Sequence, residues 1–231
     1  MNNLLLVCAI VLVFSLLLIA KKLFGKSGVI GFMGLATIAA NIMVCKSVTL
    51  LGLSATLGNV MFASNFLATD ILTECYGVGS AKKGVRFAIF SIISFCVCTQ
   101  IMLAFTPSEI DVAQESMQAL FSLAPRITLA SVAMFALANM VDVKLYEHLR
   151  KKTDGELMWL RNNLSTIVCN GMENFAFYFI AFAGIFDTKA LISMGVTATV
   201  IEIAIALCDT PFLYVATKEE RSNKQRDLRG A

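Results

Sequence analysis

Stretches of about 20 residues dominated by apolar side chains recur along this chain, and that pattern is the signature of helices built to cross a lipid bilayer. Residues 4–20 and 29–45 contain no charge at all. The pattern predicts seven helices, at 4–20, 29–45, 49–75, 85–105, 127–146, 164–186 and 190–216. Only 15% of the 231 residues are charged and 58% are hydrophobic, with a mean hydropathy of +0.77. That is too little charge to cover a soluble domain of this length. A β-barrel would instead show short alternating strands. The expected fold is therefore an all-α polytopic membrane helix bundle. Residues 1–27 form an N-terminal membrane helix with a basic connector, 28–217 the core, and 218–231 a charged tail.

The basic residues orient the bundle. Alternating the connectors places Lys21, Lys22, Lys26, Lys82, Lys83, Arg86, Lys144, Arg150, Lys151, Lys152, Arg161, Lys218, Arg221, Lys224, Arg226 and Arg229 on one side. Lys46, Arg126 and Lys189 fall on the other, a split of sixteen to three. Basic connectors stay in the cytoplasm, so the N-terminus is expected outside and the C-terminus inside. The same reading makes these residues a topology signal and not a nucleic-acid surface.

Acids inside apolar helices are costly and mark function by default. Asn139 and Asp142 stand three apart on the fifth predicted helix, and Asn170 and Glu173 stand three apart on the sixth. Three residues is nearly one helical turn, so each pair forms one polar patch. At 1.5 Å per residue, both asparagines lie roughly 13 Å from the basic end and could face each other across a helical hairpin. Ser131 and Phe135 extend one stripe, and Thr166 and Phe177 the other. The seventh helix adds Glu202 and Asp209, the latter just before Pro211, which frees a carbonyl and can open the helix. Asp70 and Glu74 lie one turn apart near the basic end of the third helix. They either contact a substrate or neutralise Lys82, Lys83 or Arg86. The plainer reading of the amides is that each bonds a neighbouring helix, at about 0.6 kcal/mol.

Catalytic patterns are missing. There is no G-x-S-x-G, H-E-x-x-H or dinucleotide fingerprint. The stretch from Gly77 to Gly84 fails as a phosphate loop because Val85, not Lys, follows Gly84. Seven scattered cysteines without a C-x-x-C pair and a lone His148 argue against a disulfide framework or a metal site. The chain is thus expected to be no enzyme, to need no cofactor and to carry no ATPase of its own.

The segment "FLATDILTECYGVGSAKKGV" resembles the signature of the queuosine-precursor transporter family, also called the vitamin uptake transporter family. The likeness continues through "RITLASVAMFALANMVDVKLYEHLR", "LMWLRNNLSTIVCNGMENFAFYFIAFAG" and "DTPFLY". The resemblance implies a six-span core with helix 1 added. It also implies import of 7-deazaguanine precursors of queuosine, whether nitrile, aminomethyl or queuine, across the bacterial inner membrane. The family pattern has Gln at 139, Asp at 173 and Lys near 202, where this chain carries Asn139, Glu173 and Glu202. The last departure puts the ligand's charge in question. The rival function is a substrate-binding membrane subunit of a modular ATPase-driven vitamin importer. The sequence leaves open proton coupling and the oligomeric state.

The orientation is directly testable. In a cysteine-free background, Ser116→Cys is expected to react with an impermeant maleimide added outside intact cells, and Ser222→Cys only after lysis. The opposite pattern would invert the topology.

Overall fold

The computed structural model describes residues 2–43, 46–50, 53–121, 125–153, 157–184 and 187–230, with some side chains within these ranges excepted. The elements in chain order are α1 (Asn2–Met43), β1 (Ser47–Leu50), β2 (Leu53–Thr56), α2 (Gly58–Tyr76), α3 (Val78–Ala104), α4 (Gln114–Phe121), α5 (Pro125–Lys152), α6 (Met158–Phe182) and α7 (Thr188–Gly230). The chain is a helix bundle with one small antiparallel hairpin.

The first two expected helices are the two arms of α1. Its 42 residues would measure roughly 63 Å if straight, twice the hydrocarbon thickness of a bilayer. The break is at Gly25, with φ 58° and ψ −138°. A β-carbon added at Gly28 would run into the Ala20 carbonyl oxygen. Eight residues of straight helix would hold those positions about 12 Å apart, so the chain turns sharply back here. Gly77 performs the next reversal, between α2 and α3, with φ 79° and ψ 161°. Only glycine occupies that region at low cost.

The first arm of α1 buries Ile10, Phe14 and Leu17, and the second buries Val29, Phe32, Met33, Ala36 and Ala40. These spacings of three and four put each set on one helix face. Both faces enter a core shared with Leu67, Ile71 and Leu72 of α2, Ala81, Val85 and Ala88 of α3, and Leu213 of α7. Phe14 meets Phe212 edge to face with centroids 5.2 Å apart. Gly84 allows the closest approach of α3, since a β-carbon there would lie 2.6 Å from Met33 Sδ and 2.8 Å from Leu72 Cδ1. A smaller cluster of Phe66, Ala138 and Cys169 joins α2, α5 and α6.

The outer faces are apolar as well. Leu4, Leu12, Phe90, Val97, Ile101, Leu129, Leu137, Val196 and Val200 are exposed. Water would not tolerate such a surface, whereas lipid tails do. Three helical stretches, Asn2–Met43, Val78–Ala104 and Leu129–Lys152, are each long and apolar enough to cross a bilayer. A bent pair, Leu191–Ile205 with Cys208–Lys218, makes a fourth. Its 41° bend sits where Pro211 deprives the carbonyl four residues earlier of its donor, as the sequence led one to expect. α2 and α6 match the bilayer in length, at 19 and 25 residues, and carry polar residues toward the interior.

Two expectations change. The helix predicted to begin at 49 begins at Gly58 instead. The preceding residues pair as β1 and β2, with Ser47 opposite Thr56 and Leu50 opposite Leu53. β-branched Val48, Thr49 and Thr56 favour extended backbone, and apolarity alone does not separate the two states. The acidic connector after α3 also holds a short helix. Asp111 Oδ1 accepts the Ala113 and Gln114 amides at 2.7 and 3.1 Å and caps the start of α4.

Gly77→Ala is expected to lower the melting temperature of the detergent-solubilised protein, because alanine in that conformation costs about 1–3 kcal/mol. Gly79→Ala is the control. Its β-carbon would enter open space on a helix, so stability should hold or rise slightly. Equal melting temperatures for Gly77→Ala and the parent would contradict the turn's role.

Candidate functional site

Long-range contacts sort the helix ends into two groups. Lys21 Nζ donates to the Ala216 carbonyl, a β-carbon on Gly25 would lie 3.9 Å from the Tyr76 hydroxyl, and Arg150 reaches α2 near its end. The bend of α1, the end of α2, the end of α5 and residue 216 of α7 therefore share one end of the bundle. This is the end with the basic connectors.

Toward the other end lies a cavity of about 80 Å³, bounded by the second arm of α1 and by α2, α5, α6 and α7. Its wall comprises Ala40, Asn41, Gly58, Asn59, Phe62, Ser131, Glu173, Asn174, Phe177, Tyr178 and Glu202. None of these described wall residues is basic. Glu173 is 6% exposed and Glu202 4%. Asn174 Nδ2 donates to Glu202 Oε2 at 2.7 Å, which ties α6 to α7 and fixes that carboxylate in place. Glu173 Oε2 is buried and has no hydrogen-bond partner among the described residues. The two carboxylates lie close enough for their charges to interact. The cavity thus presents acceptors on α6 and α7, flanked by the aromatic rings of Phe177 and Tyr178, themselves packed edge to face at 5.3 Å.

A second polar group lies between the cavity and the basic end. Asp142 of α5 is fully buried, and its Oδ2 lies 3.1 Å from the Thr69 hydroxyl of α2. It also accepts a bond from Ser165 of α6. One carboxylate thereby joins three helices. Asp70 and Asn170 are buried too, at 1% and 0% exposure. Neither side-chain atom of Asn170 has a hydrogen-bond partner among the described residues. Cys169 lies within electrostatic reach of Asp142, Asp70 and Glu173, so the second group and the cavity are neighbours.

The basic end is closed by an ion pair that the sequence did not indicate. Glu74 faces Arg150 of α5, Nε to Oε2 at 3.5 Å. Arg150 Nη1 also donates to the Thr73 carbonyl at 3.1 Å. Lys82, Lys83 and Arg86 are near in sequence, but Gly77 turns the chain and α3 carries them onward. Helix packing brings a cation from 76 residues away. Asp209 is buried on α7 away from the cavity wall.

Of the eight expected site residues, the structure therefore brings Glu173 and Glu202 together on the cavity wall. Asp70, Asp142 and Asn170 lie buried in the bundle interior, outside that wall, and Glu74 belongs to the closed end. The side chain of Asn139 lies outside the described residues, as do those of Phe135 and Thr166. Sequence reasoning missed Asn174, Tyr178, Asn59 and Asn41. Asn174 carried a usable signal, since it follows Glu173 directly and stands one helical turn beyond Asn170.

A membrane helix bundle with a polar cavity set between its helices offers a place for a small polar ligand. The family model of the putative vitamin uptake transporter matches residues 56–216. A probable queuosine precursor transporter of Bacillus subtilis (strain 168) is 35% identical over 215 residues, covering 91% of this chain and 94% of that protein. A queuosine precursor transporter of Escherichia coli (strain K12) is 29% identical over 147 residues, covering 62% of each chain. No solved structure matches significantly. The chain belongs to the vitamin uptake transporter family.

Proposed function

We propose that this multi-pass membrane protein imports a queuosine precursor, a 7-deazaguanine-type base, across the bacterial inner membrane. We further propose that the cavity bounded by α1, α2, α5, α6 and α7 receives it. The names of the two relatives support the substrate class. The observation that carries the placement is Glu173, a buried wall residue whose Oε2 has no partner among the described residues. Leaving a buried acceptor unmade is costly, so such a group implies a partner that arrives.

The chemistry fits the edge of a guanine-like ring. Its N1–H and exocyclic amine are adjacent donors, and a carboxylate is an acceptor with two oxygens. Asn174 spends an amide hydrogen on Glu202, which leaves its carbonyl oxygen as a further acceptor. Phe177 and Tyr178 supply rings for stacking against a planar base. With the basic connectors in the cytoplasm, the cavity belongs to the outer half of the bundle. The Arg150 contacts with Glu74 and the Thr73 carbonyl then hold the inner end shut. Import requires those contacts to part as the cavity closes above the base.

Cells that cannot make queuosine precursors, but can use salvaged ones, are expected to regain queuosine in tRNA when given this protein and a precursor. Glu173→Gln sets an amide donor against the base's donors. It should cost roughly 1.5–3 kcal/mol, or about 10- to 150-fold in affinity. Glu173→Asp should cost less. Radiolabelled uptake at matched membrane expression gives the order Glu, Asp, Gln. Uptake by Glu173→Gln equal to the parent would remove Glu173 from the site, and no uptake of any precursor would overturn the substrate class.

A further inference from the structure

One carboxylate suffices for the paired donors of a guanine-like edge, yet the cavity wall carries two. Glu202 is 4% exposed, lines the same space as Glu173 and is held there by the 2.7 Å bond from Asn174 Nδ2. That bond orients the carboxylate without neutralising it. Asn41, Asn59 and Ser131 are the other polar wall residues besides Asn174 and Tyr178, and none brings a positive charge. Two carboxyl groups sharing a low-dielectric cavity cannot both carry charge at low cost, and the described wall offers no cation to offset it. Glu173 retains an oxygen without a partner among the described residues. Charge and hydrogen-bond capacity therefore ask for the same thing, a ligand that is cationic and rich in donors.

We propose that the cavity selects a 7-deazaguanine bearing a protonated amine over one bearing a neutral nitrile. Glu173 takes the ring's donor edge, and Glu202 takes the ammonium on the five-membered side. This rests on the precursor reading above and narrows it. An ammonium presents three donors and a positive charge to Glu202. A nitrile at the same position presents only an acceptor lone pair to a carboxylate. It gains no bond there and leaves the repulsion between the acids unrelieved. The two ligands share the ring and are similar in size, so the discrimination lies in charge and donor direction and not in shape. Glu202 is then the residue that determines specificity, and Asn174 positions it.

The test is equilibrium binding to the purified full-length protein in lipid nanodiscs at neutral pH. The two ligands are the aminomethyl and cyano derivatives of 7-deazaguanine. The parent is expected to bind the amine at least about tenfold more tightly than the nitrile. Glu202→Gln should weaken amine binding by about tenfold or more and change nitrile binding by less than about threefold, so the preference collapses. Glu202→Asp, which keeps the charge, should retain the preference for the amine. The parent's own preference needs no variant and stands even if a substituted protein folds poorly. Equal or tighter binding of the nitrile by the parent overturns the inference while leaving the precursor reading intact. So does a Glu202→Gln effect of the same size on both ligands. If the parent binds neither ligand, the precursor reading falls and this inference falls with it.

Discussion

A carboxylate inside a bilayer must face inward and must find something to hold, because lipid offers neither charge nor hydrogen bonds. Much of this bundle's interior follows from that constraint. Asp142 meets it by joining α2, α5 and α6 through the hydroxyls of Thr69 and Ser165. Glu202 meets it through Asn174 and so joins α6 to α7. The main apolar core is built largely from α1, α2, α3 and α7, with Val143 of α5 and Met158 of α6, and packing there requires no polar partner. Glu173 keeps an oxygen without a partner among the described residues, as Asp142 does, and of the two it is Glu173 that stands on the wall of a cavity.

The two ends of the bundle differ for related reasons. Near the basic end the interior is filled by side chains such as Ile71, Leu72, Val143, Met158 and Leu213, and Arg150 reaches across from α5 to α2. Toward the other end, α2 begins at Gly58 after the hairpin, and the small or polar residues Gly58, Asn59, Ala40 and Asn41 leave room beside α6. The cavity is accordingly lopsided along the axis. The Glu74–Arg150 pair, with side chains 12% and 29% exposed, joins α2 to α5 at the basic end.

Most of the architecture was legible in the sequence. Apolar run length marks a membrane helix, whereas the turn at Gly25 shows only in its backbone conformation, which excludes other residues. The hairpin at 47–56 was not legible, because Val48 and Thr49 suit an extended strand while the surrounding apolarity suits a helix. Within the site, Glu173 and Glu202 stood out as acids in apolar surroundings. Their common wall depends on how α6 crosses α7, which no spacing along one helix encodes. Asn174 was hidden for the same reason, since its partner lies 28 residues away. For Glu74 the sequence left open a substrate contact or pairing with the cations just past Gly77, and the tertiary fold places Arg150 beside it.

The proposed binding place of the transported base is the cavity opposite the basic end. Ser131 lies on its wall and Ser193 of α7 is exposed away from it. The most direct measurement is the rate at which a small impermeant thiol reagent, applied outside intact cells, modifies Ser131→Cys in a cysteine-free background. A saturating precursor should slow that reaction at least about tenfold, while Ser193→Cys reacts at an unchanged rate. Unslowed modification of Ser131→Cys, in a protein that still binds the precursor, would place the ligand elsewhere and contradict the account.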